Sequence, residues 1–110
     1  MFDTIKTIYI AGPISSSREP DNNRAAFEQA ETTLEISYSV INPWKNLGGG
    51  RDDAFTAKQP VYMRISFHQL LCAHAIYILP GWSQSANCQA ELAVAKALNL
   101  EVIYAEGAEK

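Results

Sequence analysis

The 110-residue chain is short of several things, and each shortage excludes a class of protein. It has only two cysteines, Cys72 and Cys88, too few and wrongly spaced for a disulfide framework or a zinc site. Both fall in helix-like segments, so buried free thiols are expected. No apolar run approaches the ~18 residues of a membrane span. The start, MFDTIKTIYIAG, has an early acid and a short apolar stretch, unlike a secretory signal with its basic start and longer apolar region. The chain is therefore expected in the cytoplasm and away from membranes. Positive charge is also scarce: nine Lys and Arg stand against twelve Asp and Glu, a net charge of -3. An extended nucleic-acid partner is thereby excluded, although a few local donors can still hold a small anion. Apolar residues are not scarce. At 47% hydrophobic and 19% charged, the composition is that of an ordinary globular protein. At this length a second core would leave each half too small, so residues 1–110 are expected to form one domain.

Hydrophobic patterning divides the chain into alternating strands and helices. Thr7 to Ala11 is β-branched and aromatic and stops at Gly12-Pro13, as a buried strand does. A polar loop from Ile14 to Pro20 leads to the candidate caps Asp21, Asn22 and Asn23. Phe27, Ala30 and Leu34 then recur at helical spacing, predicting an amphipathic helix to about Ile36. A short strand, Tyr38 to Ile41, ends at Asn42-Pro43. Residues 44–58 form a long loop containing Gly48-Gly49-Gly50 and Arg51-Asp52-Asp53, and loops of that length are often functional. A second helix starts near Pro60, with Met63, Phe67, Leu70 and Leu71 on one face. Ala75 to Leu79 is a third strand, closed by Pro80-Gly81. A third helix opens near Ser85 and runs to about Leu98, with Asn99 as its C-cap. Val102 to Tyr104 is the last strand, and the polar tail from Ala105 to Lys110 is expected to fray. Strands alternating with helices predict a parallel α/β sheet covered on both faces, with ligands outside the carboxyl ends of the strands.

The loops after the first and third strands carry the most distinctive residues. Ser85 stands where the third helix begins, so its hydroxyl and the free N–H groups there suit an anion. Glu91 lies one and a half turns further on, beside Cys88 and Ala95, with no cation at helical spacing. A carboxylate at the edge of an apolar face has a raised pKa and suits a functional acid, although a solvated helix Glu is the plainer alternative. Gly12 permits a close backbone approach, and Ser15, Ser16, Ser17 and Arg18 offer donors to a phosphate or sugar, or simply make a polar turn. Trp44 and Trp82 follow strands at the ligand end and either stack on a base or cap the core. His74, at a helix end, reads as structural, and His68 as a surface residue.

These motifs fall in one order: Tyr9-Ile-Ala-Gly-Pro, Asn23-Arg24 with Phe27, Tyr38-x-Val-x-Asn42-Pro43, Tyr62-Met63-Arg64, and Leu79-Pro-Gly-Trp82-x-x-Ser85 followed by Glu91 and Ala95. In that order the chain resembles the nucleoside 2-deoxyribosyltransferase superfamily over nearly all of residues 7–104, in particular its short bacterial and phage branch. The resemblance implies a small Rossmann-like, flavodoxin-like doubly wound parallel sheet of about four strands and three helices. It implies a deoxynucleoside or its 5′-monophosphate as small-molecule ligand, and transfer or hydrolysis at the N-glycosidic bond. By resemblance Glu91 is the nucleophile on C1′, Tyr9 lies near the sugar, and Ser85 contacts the 5′ end. Gly12, Pro13, Ser15, Ser16 and Ser17 make the loop that lines the nucleotide, joined by Trp82 and Ser66. No metal or organic cofactor is implied, and a homo-oligomer is, because relatives often complete the pocket from a neighbouring subunit.

The sequence departs from that pattern at four places. Ser66 stands where many relatives carry an Asp that binds the sugar and handles the proton of the leaving base. His74 stands at a second frequent Asp, and Asn87 and Ser37 replace glycines. Ser is a poor general acid at neutral pH. Asp52 and Asp53 could substitute for the missing acid only if their loop folds over the site. A non-catalytic nucleotide-binding or sensing module, or a phage accessory protein that binds a host protein, is the alternative function.

Overall fold

The computed structural model describes residues 5–13, 20–44 and 59–110, with side chains placed from 24 and from 63 in the latter two stretches. Ser15, Ser16, Ser17, Arg18, Asp52 and Asp53 lie outside the described residues, as does the Tyr62 side chain. Four strands, β1 (Thr7–Ala11), β2 (Ser39–Ile41), β3 (Ala75–Ile78) and β4 (Glu101–Tyr104), form one sheet in the order β2-β1-β3-β4. Every pairing is parallel. Three helices, α1 (Pro20–Leu34), α2 (Gln59–Leu71) and α3 (Ala86–Ala97), connect them. The result is a small doubly wound, Rossmann-like α/β fold.

Side-chain alternation along the strands assigns each helix to a face. Ile10 of β1 packs with Phe27 and Ala30 of α1. Tyr9 and Ala11, together with Ile76 and Ile78 of β3, face Leu70 of α2 and Leu92 and Ala95 of α3. Because β1 is central and covered on both sides, Ile8 through Ala11 are fully buried.

The element ends correct several expectations. Helix α1 begins at Pro20, whose preset φ suits a first helical position, so Asp21, Asn22 and Asn23 lie inside the first turn and not at its cap. It stops at Leu34, whose carbonyl accepts from both Ser37 and Tyr38 N–H, and Ile36 beyond it is 85% exposed. In α2 the buried face is Met63, Ser66, Phe67 and Leu70, while Leu71 is 59% exposed. Helical spacing admits both Leu70 and Leu71 to this stripe, and the way α2 lies on the sheet buries Leu70 and leaves Leu71 at its edge. Cys72 sits past the helix end and is exposed, whereas Cys88 is buried as expected.

Helix α3 matches its sequence signals closely. Ser85 is its N-cap, the side chain accepting from Cys88 N–H at 3.3 Å. At the other end Asn99 takes the left-handed conformation with φ 59. Leu100 N–H reaches back to the Ala95 carbonyl and Asn99 N–H to that of Lys96, a Schellman ending. No helix among the described residues is long and apolar enough to cross a membrane.

Candidate functional site

The strand order reverses between β1 and β3, and in folds of this kind ligands bind where the chain leaves the strands at such a reversal. The two departing loops touch each other. A Cβ placed on Gly12 would come within 2.8 Å of Leu79 Cδ1, 2.9 Å of Leu79 Cβ and 3.1 Å of the Phe27 ring. Gly81, at φ 88, lies against Pro13, whose Cγ would be 3.3 Å from an added Cβ. The smallness of Gly12 is therefore consumed by packing between β1, α1 and the β3 loop.

Within the core lies a polar pair, Tyr9 and Glu91. Tyr9 is fully buried on the central strand, and its hydroxyl donates to Glu91 Oε2 at 2.5 Å. Glu91 is itself only 6% exposed. It lies six residues into the helix from Ser85, about 9 Å along the axis. The plainer reading of Glu91 as a solvated helix residue is thus wrong. Burial pushes its carboxyl up to about 7, against the opposing pull of the Tyr9 hydrogen bond, which favours the charged form. Cys88, one turn earlier, is pushed up to about 12, mainly by burial, despite its hydrogen bond to Ser85 and with the Glu91 charge adding to the rise. It is an inert thiol.

Ser66 is 1% exposed, on the inward face of α2. Its hydroxyl has no hydrogen-bond partner among the described residues. Such a group ordinarily costs stability. Ser66→Ala is accordingly expected to leave stability unchanged or raise it by about 1 kcal/mol, read as a shift of the urea midpoint. A clear loss of stability would show that the hydroxyl is bonded in solution.

The remaining candidates separate cleanly. Trp44 is 5% exposed and meets Phe27 edge-on at 6.1 Å, so it belongs to the core. Asn42 holds that segment, accepting from Trp44 N–H and donating to Glu31 on α1, each at 3.0 Å. Trp82 is half-buried, tilted on Tyr104 at 6.3 Å, in the short turn between Gly81 and Ser85. His74 lies at the opposite, amino end of the sheet. There its Nδ1 accepts from Thr7 N–H at 2.9 Å and its backbone N–H donates to the Thr7 carbonyl at 2.8 Å, so it joins β1 to β3. His68 is exposed. Among the described residues no three His, Cys, Asp or Glu side chains gather to hold a metal ion.

Sequence reasoning missed one contributor. Instead of fraying, the tail returns to the site, where Glu109 accepts from Ser83 Oγ at 2.6 Å. A lone acid in a polar tail gives no periodic signal that would have found it.

Residues 6–104 match a family model described as a domain of unknown function, DUF4406. No curated protein matches the chain.

Proposed function

The chain belongs to the DUF4406 family, and we propose that it cleaves or transfers at the N-glycosidic bond of a 2′-deoxynucleoside or its 5′-monophosphate. The observation that carries this reading is the buried Tyr9–Glu91 pair. A carboxyl held near neutral pKa below the ligand crevice of a doubly wound sheet is placed for chemistry and is costly for structure alone. In the proposed step the ionised Glu91 attacks C1′. The C1′–N bond breaks, its electron pair leaves with the base, and water supplies the base with a proton. The resulting glycosyl ester passes the sugar to water or to a second base. Tyr9 orients the carboxylate by holding Oε2. Ser85 and the Gly12–Pro13 turn bound the 5′ end, and Trp82 offers a face to the base.

The test is a panel of deoxynucleosides and their monophosphates incubated with the protein, with free base followed by chromatography. Release of base from at least one member is expected. Tight binding with no release from any would overturn the catalytic reading. Tyr9→Phe removes the hydrogen bond that favours ionised Glu91, so the midpoint of the pH–rate profile should move up from about 7 by about one unit. An unmoved midpoint would assign the titration to another group.

One observation favours a second reading, a nucleotide-binding module without turnover. Where relatives place an acid, this chain has Ser66, whose buried hydroxyl can bond a ligand but does not readily supply a proton. Binding without release in the same panel is the outcome that selects it.

A further inference from the structure

Residues 105–110 double back across the loop that carries the site. Ala105 N–H donates to the Ile78 carbonyl at 2.8 Å, adding one bond to the ladder between β3 and β4. Ala108 N–H then closes a turn on the Ala105 carbonyl at 3.0 Å, with Gly107 at φ 87 beside the Pro80 ring. This turn delivers Glu109 to three consecutive residues. Ser83 Oγ donates to its carboxylate at 2.6 Å, and the Trp82 indole N–H donates to its carbonyl at 2.5 Å. Gly81 N–H makes a longer bond, 3.4 Å, to the other carboxylate oxygen. The Ser83 bond first, and backbone N–H groups with it, hold the carboxyl below its usual range. Pro13 touches Gly81, and Ser85 begins α3 two residues past Ser83. Glu109 is therefore seated on the outer side of the loop after β3, the loop whose Gly81 meets Pro13, and it holds Trp82 beside Tyr104.

We propose that residues 105–110 are an autoinhibitory strap, latched by Glu109, that an anionic ligand must displace from Gly81, Trp82 and Ser83. For the nature of that ligand, the phosphate of a deoxynucleoside 5′-monophosphate, the proposal rests on the function proposed above. A phosphate entering beside Ser85 competes with the carboxylate for the Ser83 hydroxyl and is repelled by its charge. Only the fraction of molecules with the strap released binds it at full strength. A neutral nucleoside brings no competing anion and is largely indifferent to the latch. The signature of the strap is thus a gain specific to phosphate.

The test uses the full chain as wild type, Glu109→Ala, and Glu106→Ala, which removes a tail charge without touching the latch. Each is titrated by calorimetry with a deoxynucleoside 5′-monophosphate, the matching nucleoside and inorganic phosphate, and tryptophan emission is recorded. In Glu109→Ala the monophosphate and inorganic phosphate should bind at least about fivefold more tightly. Nucleoside affinity should stay unchanged, and Glu106→Ala should behave as wild type. Monophosphate should change the emission of wild type, as Trp82 leaves Glu109, more than that of Glu109→Ala. Equal or weaker phosphate binding by Glu109→Ala, or an equal gain in Glu106→Ala, overturns the strap. If no variant binds nucleoside or monophosphate, but inorganic phosphate shows the Glu109-dependent gain, the strap stands and the nucleotide reading fails.

Discussion

Glu91→Gln is expected to lower the release of free base by at least about 10²-fold, the scale on which a single positioned acid, base or nucleophile acts. Gln nearly preserves the shape of Glu and can still accept from the Tyr9 hydroxyl. Loss of rate can therefore be assigned to the missing carboxylate and not to a collapsed core. The pH dependence gives an independent check. The nucleophile must be ionised, so the wild-type rate should rise with pH through about 7, where Glu91 titrates. Stability should move the other way. The folded carboxyl titrates near 7 and the unfolded one near 4.5, so between those values the folded state binds more protons. The stability tied to this group is whole below pH 4.5 and is lost as pH rises through about 7. A shift of that size corresponds to about 3 kcal/mol. Glu91→Gln should lack this slope and be the more stable protein at pH 8, measured by urea unfolding across pH. Unaltered base release in the variant would remove Glu91 as nucleophile. A sugar trapped on Glu91 of the wild type would establish it.

How much of this could be read from the residues depended on whether the determinant was local. The strands were legible because Thr7–Ala11 and Ala75–Ile78 are short apolar runs that Gly-Pro and Pro-Gly bring to an end. Helix α3 was legible because Ser85 caps it and Asn99 can adopt a left-handed φ at its end. Glu91 and its place beside an apolar face were legible, but its partner was not. Nothing within its own helix reveals that Tyr9, 82 residues earlier, comes up from the central strand to meet it. The same limit explains Leu71, which shares the apolar character of Leu70 and differs only in which side of α2 faces the sheet. It also explains Glu109, held by Ser83 and Trp82 through a turn that polar tail composition does not announce. His74 shows the reverse case. Its position at the amino end of β3 was clear, yet only the sheet register joins it to Thr7 of the neighbouring strand.

Gly12→Ala is expected to destabilise the protein by about 1–3 kcal/mol, the usual cost of forcing an extra methyl group into a filled interior. The new Cβ would meet Leu79 Cβ at 2.9 Å, and that atom cannot swing aside as a side-chain tip would. Leu79 is fixed by its own N–H, which donates to the Ala11 carbonyl at 2.8 Å, and the Phe27 ring closes the other side at 3.1 Å. The strain therefore falls on the contact between β1 and the loop after β3, next to the proposed ligand site. Urea unfolding should show a lower midpoint with an unchanged slope. Gly81→Ala makes the informative comparison, because its cost comes from the left-handed backbone at φ 88 and amounts to about 1–2 kcal/mol. A second measurement separates packing from ligand contact at Gly12. If the residue serves packing, the fraction of Gly12→Ala that remains folded should bind a deoxynucleotide much as the wild type does. Full stability combined with lost binding would reverse the assignment and make Gly12 a point of ligand approach. The junction would then have to yield somewhere between Leu79 and Phe27 to admit the methyl group, which the tight packing on both sides opposes.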